Sequence, residues 1–453
     1  MIRKNHGLHN KTFFFLVLFF TIFFCSNAQN GFHFQEKNKR KQRVSFKLIN
    51  NLIVIPVAIN GQNLSFILDT GVNKTIIFNL SKNDSIDLLN TKKIMLRGLG
   101  GGEPVVAILS KNNKMRVKGL TAYDESIYVI FKDFFDLSSK MGTTIHGIIG
   151  YNLLKNFVVK INYKNKKIDF YNPKTYTYKK CRKCEILPIE FYRKKPFVNV
   201  ALQIDTVGNN LTQVKMLIDS GGSDAIWLFE NSKSGINTPK RFFNDILGEG
   251  LSGAVFGKRS RIPQLIIGRF KINKPTVSFL DSIATLNAQK FKNRNGSLGG
   301  NILKRFTVWL DYPKEQIMLK KNSSFKADFN YNMSGLDIVY SGKELIKQES
   351  LKPSASGSSK QSDWNNIVSF DTNYKYKFKN TYIIRSVVKN SVADKAGLKA
   401  GDTVLSINTK FVYNYTLSDI VNKLQERENK KIRITIRRDG QKMTFSFRLE
   451  KRI

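Results

Sequence analysis

Histidine and cysteine are scarce in this 453-residue chain and acidic side chains are far outnumbered by basic ones, and each shortage closes off a kind of chemistry. Of four histidines, His6 and His9 lie in the first 28 residues. The remaining pair, His33 and His146, argues against a multi-histidine metal site and against a Ser-His-Asp triad. His146 reads as a packing neighbour of Gly147. Of three cysteines only Cys181 and Cys184, in KKCRKCE, lie beyond the leader. A zinc site would need two further ligands, and none are spaced for it. A thioredoxin-like role would need the pair at the start of a helix after a strand, which the surrounding Lys, Arg and Pro188 do not suggest. The reading kept is a local disulfide in an oxidising compartment, with no metal and no cofactor. Acidic residues number 34 against 75 Lys and Arg. Such an imbalance could hold nucleic acid, acidic glycans or anionic headgroups. The basic residues are nevertheless spread over every segment, and the dense cluster KNKRKQR at 37–43 reads as a solvated arm, so no nucleic-acid partner is expected.

Long apolar runs are also scarce. The one candidate, Phe13 to Phe24, follows Arg3, Lys4 and Lys11 and precedes Ser26, Asn27 and Ala28, a small-residue cleavage site. About twelve residues at ~1.5 Å rise give roughly 18 Å, short of a ~30 Å hydrocarbon core. Residues 1–28 therefore read as a signal peptide rather than an anchor, and Phe24 before Cys25 argues against a lipoprotein site. Cleavage would leave 72 basic and 34 acidic residues, or +38. The expectation is an exported protein, periplasmic or extracellular, without stable membrane insertion.

The length leaves room for about three domains. VSFKLI, LIVIPVAI, LSFILD and TIIFNL read as short strands, with Asn60-Gly61 as a hairpin turn. FVNVALQI, QVKMLID and AIWLF repeat the plan. Two β-rich lobes are predicted, at 44–178 and 187–325. A third domain, at 330–451, has a different pattern: Leu417, Ile420, Val421 and Leu424 at helical spacing behind a Thr416/Asp419 capping box, then KIRITIRR and MTFSFRLE across Asp439-Gly440. Within it, 342–378 is a polar insertion, with six Ser among the fourteen residues from Ser350 to Asp363, and reads as a mobile loop.

Two triplets carry the chemistry, Asp69-Thr70-Gly71 in FILDTG and Asp219-Ser220-Gly221 in MLIDSG. Each sits in the same frame. Gly100 and Gly250 lie 31 residues after their respective aspartates; Gly147 lies 78 after Asp69 and Gly296 lies 77 after Asp219. Asn152, Leu154, Lys155, Phe157, Tyr163 and Ile168 recur 149 residues on as Asn301, Leu303, Lys304, Phe306, Tyr312 and Ile317, so the two lobes are an internal duplication. Two carboxylates held face to face cannot both ionise, and the pair shares a proton. A water between them can lose a proton to one while the other hydrogen-bonds a developing oxyanion, without metal or covalent intermediate. Asp224 reads as a turn residue. Gly248, Gly250 and Gly253 match GxGxxG but lack a βαβ frame.

These motifs resemble those of the pepsin and retropepsin-like aspartic peptidases across both lobes. The resemblance implies a mainly β protein, two retropepsin-like β-barrel lobes, with Asp69 and Asp219 as catalytic residues. It makes Thr70, Gly71, Ser220, Gly221, Gly147 and Gly296 the support of the active-site loops. The glycine-rich stretches holding Gly98, Gly100 and Gly101 and then Gly250 and Gly253 become flaps over substrate. The chain departs from the family after each triplet, where Val72 and Gly222 cannot donate a hydrogen bond to a carboxylate. A dyad less acid-shifted than pepsin's, active at milder pH, is the consequence. The absence of a flap tyrosine near Gly98–Glu103 favours retropepsin-like handling of substrate.

Residues 330–451 resemble a PDZ domain, an α+β fold, through Ala393, Ala396, Gly397, Leu398, Gly401 and Asp402. The resemblance makes Ser334, Gly335 and Leu336 the carboxylate-binding loop and Leu417 and Val421 the far wall of a groove for peptide C-termini, open or closed against the lobes. The chain is thus expected to be an exported, monomeric aspartic endopeptidase acting on polypeptides, with a PDZ module for substrate or C-terminus recognition. Two other readings stand beside it: a catalytically inactive peptide-binding protein of the same fold, and a polyanion-binding surface protein.

Overall fold

A computed structural model describes residues 31–80, 86–96, 104–131, 136–205, 208–250, 253–280, 285, 291, 293–353 and 370–453. The chain is mainly β, in two lobes and a C-terminal domain. A nine-stranded sheet builds the first lobe and a ten-stranded sheet the second. A six-stranded sheet is shared between them, and its middle pair is Val158–Asn162 against Phe306–Asp311. Val158 faces Asp311 and Asn162 faces Thr307. Shifting either pair by 149 residues returns the other, so the duplication is an approximate twofold axis through this sheet.

Strands that are buried on both faces carry few polar residues. Leu52–Ile59 exposes only Pro56, and its counterpart Lys195–Gln203 exposes only Asn199. One continuous apolar core runs through both lobes, from Ile53, Phe66 and Leu68 to Met216, Leu228 and Phe279. The anticipated hairpin turns at Asn60 and Gly61, whose φ of 47° and 96° have the signs of a type I′ turn.

Two expectations are corrected. Residues 37–43 are not simply a solvated arm, because Lys41–Ser45 is a strand of the shared sheet, paired with Lys167–Tyr171. Gln42 and Val44 face inward, and Arg43 grips Asp169 from Nε at 2.6 Å and Nη2 at 3.1 Å, which gives this basic strand its counter-ion. The 342–378 insertion is likewise largely β: Leu336–Pro353 and Phe370–Val387 form a two-stranded ribbon paired from Leu336↔Val387 to Pro353↔Phe370. Tyr374, Tyr376 and Phe378 alternate with Lys375, Lys377 and Lys379 along it, a period of two that the serine content obscured. The serine-rich tip at 354–369 lies outside the described residues.

The C-terminal domain has its own core, including Leu336, Ile384, Leu398, Ile420 and Ile434. Its helix Leu417–Lys423 starts on the anticipated capping box, with the Asp419 amide donating to Thr416 Oγ1 at 3.2 Å and the Thr416 amide to Asp419 Oδ2 at 2.9 Å. Cys181 and Cys184 are disulfide-bonded where the chain crosses between lobes. Among the described residues no helix is long and apolar enough to cross a membrane.

Candidate active site

Each aspartate ends a strand whose neighbour locks it in place. Gln62–Leu68 runs parallel to Gly147–Ile149, which is antiparallel to Thr75–Ile77. In the second lobe Thr212–Ile218 runs parallel to Arg294–Leu298, which is antiparallel to Ile226–Phe229. The Asp69 amide donates to Ile149 O at 2.8 Å and the Asp219 amide to Leu298 O at 3.0 Å. These middle strands cross where space is tightest, and glycine is required there. A Cβ on Gly147 would meet Ile76 O and the Phe66 ring, and one on Gly296 would meet Trp227 O.

The carboxylates converge at the twofold axis. Asp69 Oδ1 accepts the Gly71 amide at 2.6 Å and Asp219 Oδ1 the Gly221 amide at 3.1 Å. A Cβ on Gly71 would sit 3.0 Å from Asp69 Oδ1 and 3.2 Å from Asp219 Oδ1, and one on Gly221 would collide with the Asp69 carboxylate. Desolvation, then the negative charge of Asp219, pushes the Asp69 carboxyl up to about 8, against the Gly71 amide and the Lys195 charge, which pull it down. The pair therefore retains a shared proton well above the ordinary carboxylate range.

Val72 and Gly222 bring no hydroxyl to the dyad. A Cβ on Gly222 would lie 3.5 Å from Asp219 Oδ2, so a serine there could reach the carboxylate. Gly250 and Gly253 close the hairpin of Phe242–Gly250 with Gly253–Arg261. Gly98, Gly100 and Gly101 lie outside the described residues, between strands Lys92–Leu96 and Val105–Val117 that pair up to Leu96↔Val105.

Several residues of the site were not anticipated. Gly150 and Gly299, also 149 apart, lie against the loops: a Cβ on Gly150 would meet Asp69 O and one on Gly299 would meet Asp224 O. Their repetition was a usable signal. Asp224 lies on the bend before Ile226–Phe229, as expected, and its side chain has partners as well. It accepts from Trp227 Nε1 at 2.8 Å, Ser278 Oγ at 2.8 Å and Arg259 Nη1 at 3.1 Å, and these partners hold its carboxyl low despite burial. His146 does more than pack, since its Nδ1 accepts the Ser65 amide at 3.0 Å. Lys195 and Arg294 place positive charge beside the dyad. Burial draws the Lys195 ammonium down, Arg294 adds to this, and Asp69 and Asp219 oppose it. Burial likewise draws Arg294 down to about 10, opposed by Asp219. Tyr312 buries its hydroxyl without a hydrogen-bond partner, and burial with the Asp69 charge pushes it up.

In the C-terminal domain Ser334, Leu336 and Leu417 are buried. The Ser334 hydroxyl accepts the Leu336 amide at 3.0 Å and donates to Asn332 Oδ1 at 2.7 Å, while Gly335 O accepts the Val388 amide at 2.8 Å. The side between the Leu336 strand and the Leu417 helix faces the first lobe's helix Leu137–Met141. Arg385 joins Asp136 at 3.4 Å to Asp337 at 2.5 Å, Ser418 Oγ donates to Asn50 Oδ1 at 3.5 Å, and Gly142 abuts Leu417. Part of the anticipated groove is covered from within the chain; Val421 is half-buried on the same helix.

Residues 55–153 match the aspartyl protease family and residues 383–438 match the PDZ domain family. Among solved structures the aspartic proteinase from Irpex lacteus is similar, at 13% identity and a TM-score of 0.40, over 64% of this chain and 99% of that chain. No curated protein matches. The first lobe thus contains an aspartyl-protease-like segment and the C-terminal domain a PDZ-like one.

Proposed function

We propose that this protein is an aspartic-type endopeptidase that hydrolyses peptide bonds of polypeptide substrates after export. The observation that carries the reading is the convergence of Asp69 and Asp219 on one desolvated site, each fixed by the same strand crossing. In the proposed reaction a water held between the carboxylates attacks the amide carbon and loses a proton to the ionised member. The protonated member donates to the carbonyl oxygen as it becomes an oxyanion. Collapse of the tetrahedral intermediate returns the electron pair to carbon and breaks the C–N bond, with a carboxyl proton passing to the leaving nitrogen. Burial and mutual repulsion keep one proton on the pair, so one aspartate enters as the acid and the other as the base. The PDZ domain is proposed to select polypeptide chains or their C-termini.

The deciding experiment is cleavage of an unfolded protein between about pH 3 and pH 8 by the wild type, Asp69→Asn and Asp219→Asn, with and without pepstatin. Loss of cleavage in both single variants is expected. Cleavage that persists in either of them overturns the shared dyad.

A further inference from the structure

The duplication makes the two halves of the cleft comparable position by position, and at one position they differ in kind. In the first lobe Val54 pairs with Ile67, and the register continued by two residues sets Leu52 opposite Asp69. In the second lobe Phe197 pairs with Leu217, and the same continuation sets Lys195 opposite Asp219. The preceding turns fix the equivalence independently: Asn50 and Asn51 have φ of 48° and 67°, and Arg193 and Lys194 have φ of 49° and 68°. Leu52 and Lys195 each follow directly.

Cross-strand partners share a sheet face, so each of these side chains lies on the face that carries its aspartate. In the first lobe that face is apolar, with Leu52 packed among Val54, Ile67, Phe78, Leu96 and Val105 under the first hairpin. In the second lobe it carries Lys195 with Arg294 beside it. Arg294 is occupied by its own strand, donating to Gly296 O at 3.3 Å and Ser297 Oγ at 2.8 Å, with the Phe229 ring 5.0 Å from the guanidinium carbon. Lys195 is half-buried, and among the described residues it forms no ion pair. The charges that act on it are Asp69 and Asp219, attractive, and Arg294 and Arg193, repulsive. A dyad sharing one proton carries a single negative charge, so two desolvated cations face one anion.

We propose that Lys195 is a specificity-determining residue, whose ammonium takes a substrate carboxylate, an Asp or Glu side chain flanking the scissile bond on the second-lobe side. At the equivalent first-lobe position Leu52 is buried in the core and offers no charge to a substrate. The inference rests on the peptidase reading for its position in the cleft. It goes beyond that reading by naming the substrate class.

The test uses paired peptides, identical but for Glu or Gln at single positions around one scissile bond. They are cleaved by the wild type, Lys195→Leu and Lys195→Glu at the pH optimum of each. The wild type is expected to favour Glu over Gln at one position by about tenfold in kcat/KM, the worth of one partly desolvated charge pair. Lys195→Leu, which makes the two lobes alike, should bring that ratio to about one, and Lys195→Glu should invert it. A ratio unchanged by Lys195→Leu overturns the proposal. So does an equal loss on every peptide with a displaced pH profile, because that would make Lys195 a positioning residue for the dyad alone. If the wild type cleaves nothing, the peptidase reading fails separately. Fluorescence anisotropy of the same labelled pairs on wild type and Lys195→Leu then reads the subsite, and equal affinity for Glu and Gln peptides on the wild type overturns it.

Discussion

Thr70 and Ser220 hold each other's strand. The Thr70 amide donates to Ser220 Oγ and the Ser220 amide to Thr70 Oγ1, both at 3.0 Å. Each hydroxyl then donates to the carbonyl just before the other lobe's aspartate, Thr70 to Ile218 O at 2.5 Å and Ser220 to Leu68 O at 2.7 Å. Both residues are 1% exposed, so these four bonds join the lobes out of reach of water.

Thr70→Val keeps the shape and deletes the hydroxyl. It leaves the Ser220 amide and Ile218 O buried without partners, at about 1–3 kcal/mol for each group. Thermal unfolding should fall by several degrees and cleavage should drop with it. Thr70→Ser, which keeps the oxygen, should lose much less of both. An unchanged melting temperature in Thr70→Val would mean that the lobes are not held together by this exchange.

Two adjacent glycines should respond in opposite ways. At Gly221 an added methyl collides with the Asp69 carboxylate, so Gly221→Ala should abolish cleavage. At Gly222 an added Cβ would make only ordinary contact, 3.5 Å from Asp219 Oδ2. Gly222→Ser can donate to the ionised dyad and so favour ionisation. Its pH profile should move toward acid with the protein still folded. A Gly222→Ser profile that overlays the wild type removes the hydroxyl as the cause of the milder pH range.

Much of this site was legible in the sequence because the duplication repeats it. The triplets, Gly147 and Gly296, and the Thr416 capping box are local patterns that sequence spacing preserves. Lys195 was not legible, because its place opposite Asp219 comes from strand register, and the lobes reach that register through loops of different length: Leu52 and Lys195 lie 143 residues apart whereas the aspartates lie 150 apart. The partners of Asp224 were hidden for the same kind of reason, since Arg259 and Ser278 come from distant strands. The strand at Lys41–Ser45 was hidden by its charge, which only Asp169 across the sheet explains.

The raised Asp69 carboxyl makes a prediction about stability as well as rate. The native state holds a proton up to about pH 8, whereas the unfolded carboxyl ionises near its ordinary 3.8. Between those values the native state binds more protons than the unfolded state, so this group's contribution to stability falls as pH rises. Asp69→Asn removes that dependence. It should melt at a higher temperature than wild type at pH 7 and show no such gain below pH 4, while cleaving nothing. The wild-type activity should also persist toward neutral pH, until the shared proton leaves. A melting difference that does not depend on pH would show that the pair does not keep a shared proton above the ordinary carboxylate range.

The first lobe and the PDZ domain meet at Gly142 and Leu417. Gly142 has φ of 65°, and a Cβ there would lie 2.9 Å from Leu417 Cβ. Only residues 143–146 separate it from Gly147–Ile149, the strand whose Ile149 O accepts the Asp69 amide. The Leu417 helix is thus a few residues from the support of the dyad. Gly142→Val adds left-handed strain and forces Leu417 aside, together about 1–3 kcal/mol. Amide hydrogen exchange should quicken in Leu137–Met141 and Leu417–Lys423 together, because each covers the other, while Lys431–Arg438 in the PDZ core stays protected. Faster exchange in Leu137–Met141 alone would mean that the strain at Gly142 is local and that the PDZ domain does not rest on this helix in solution.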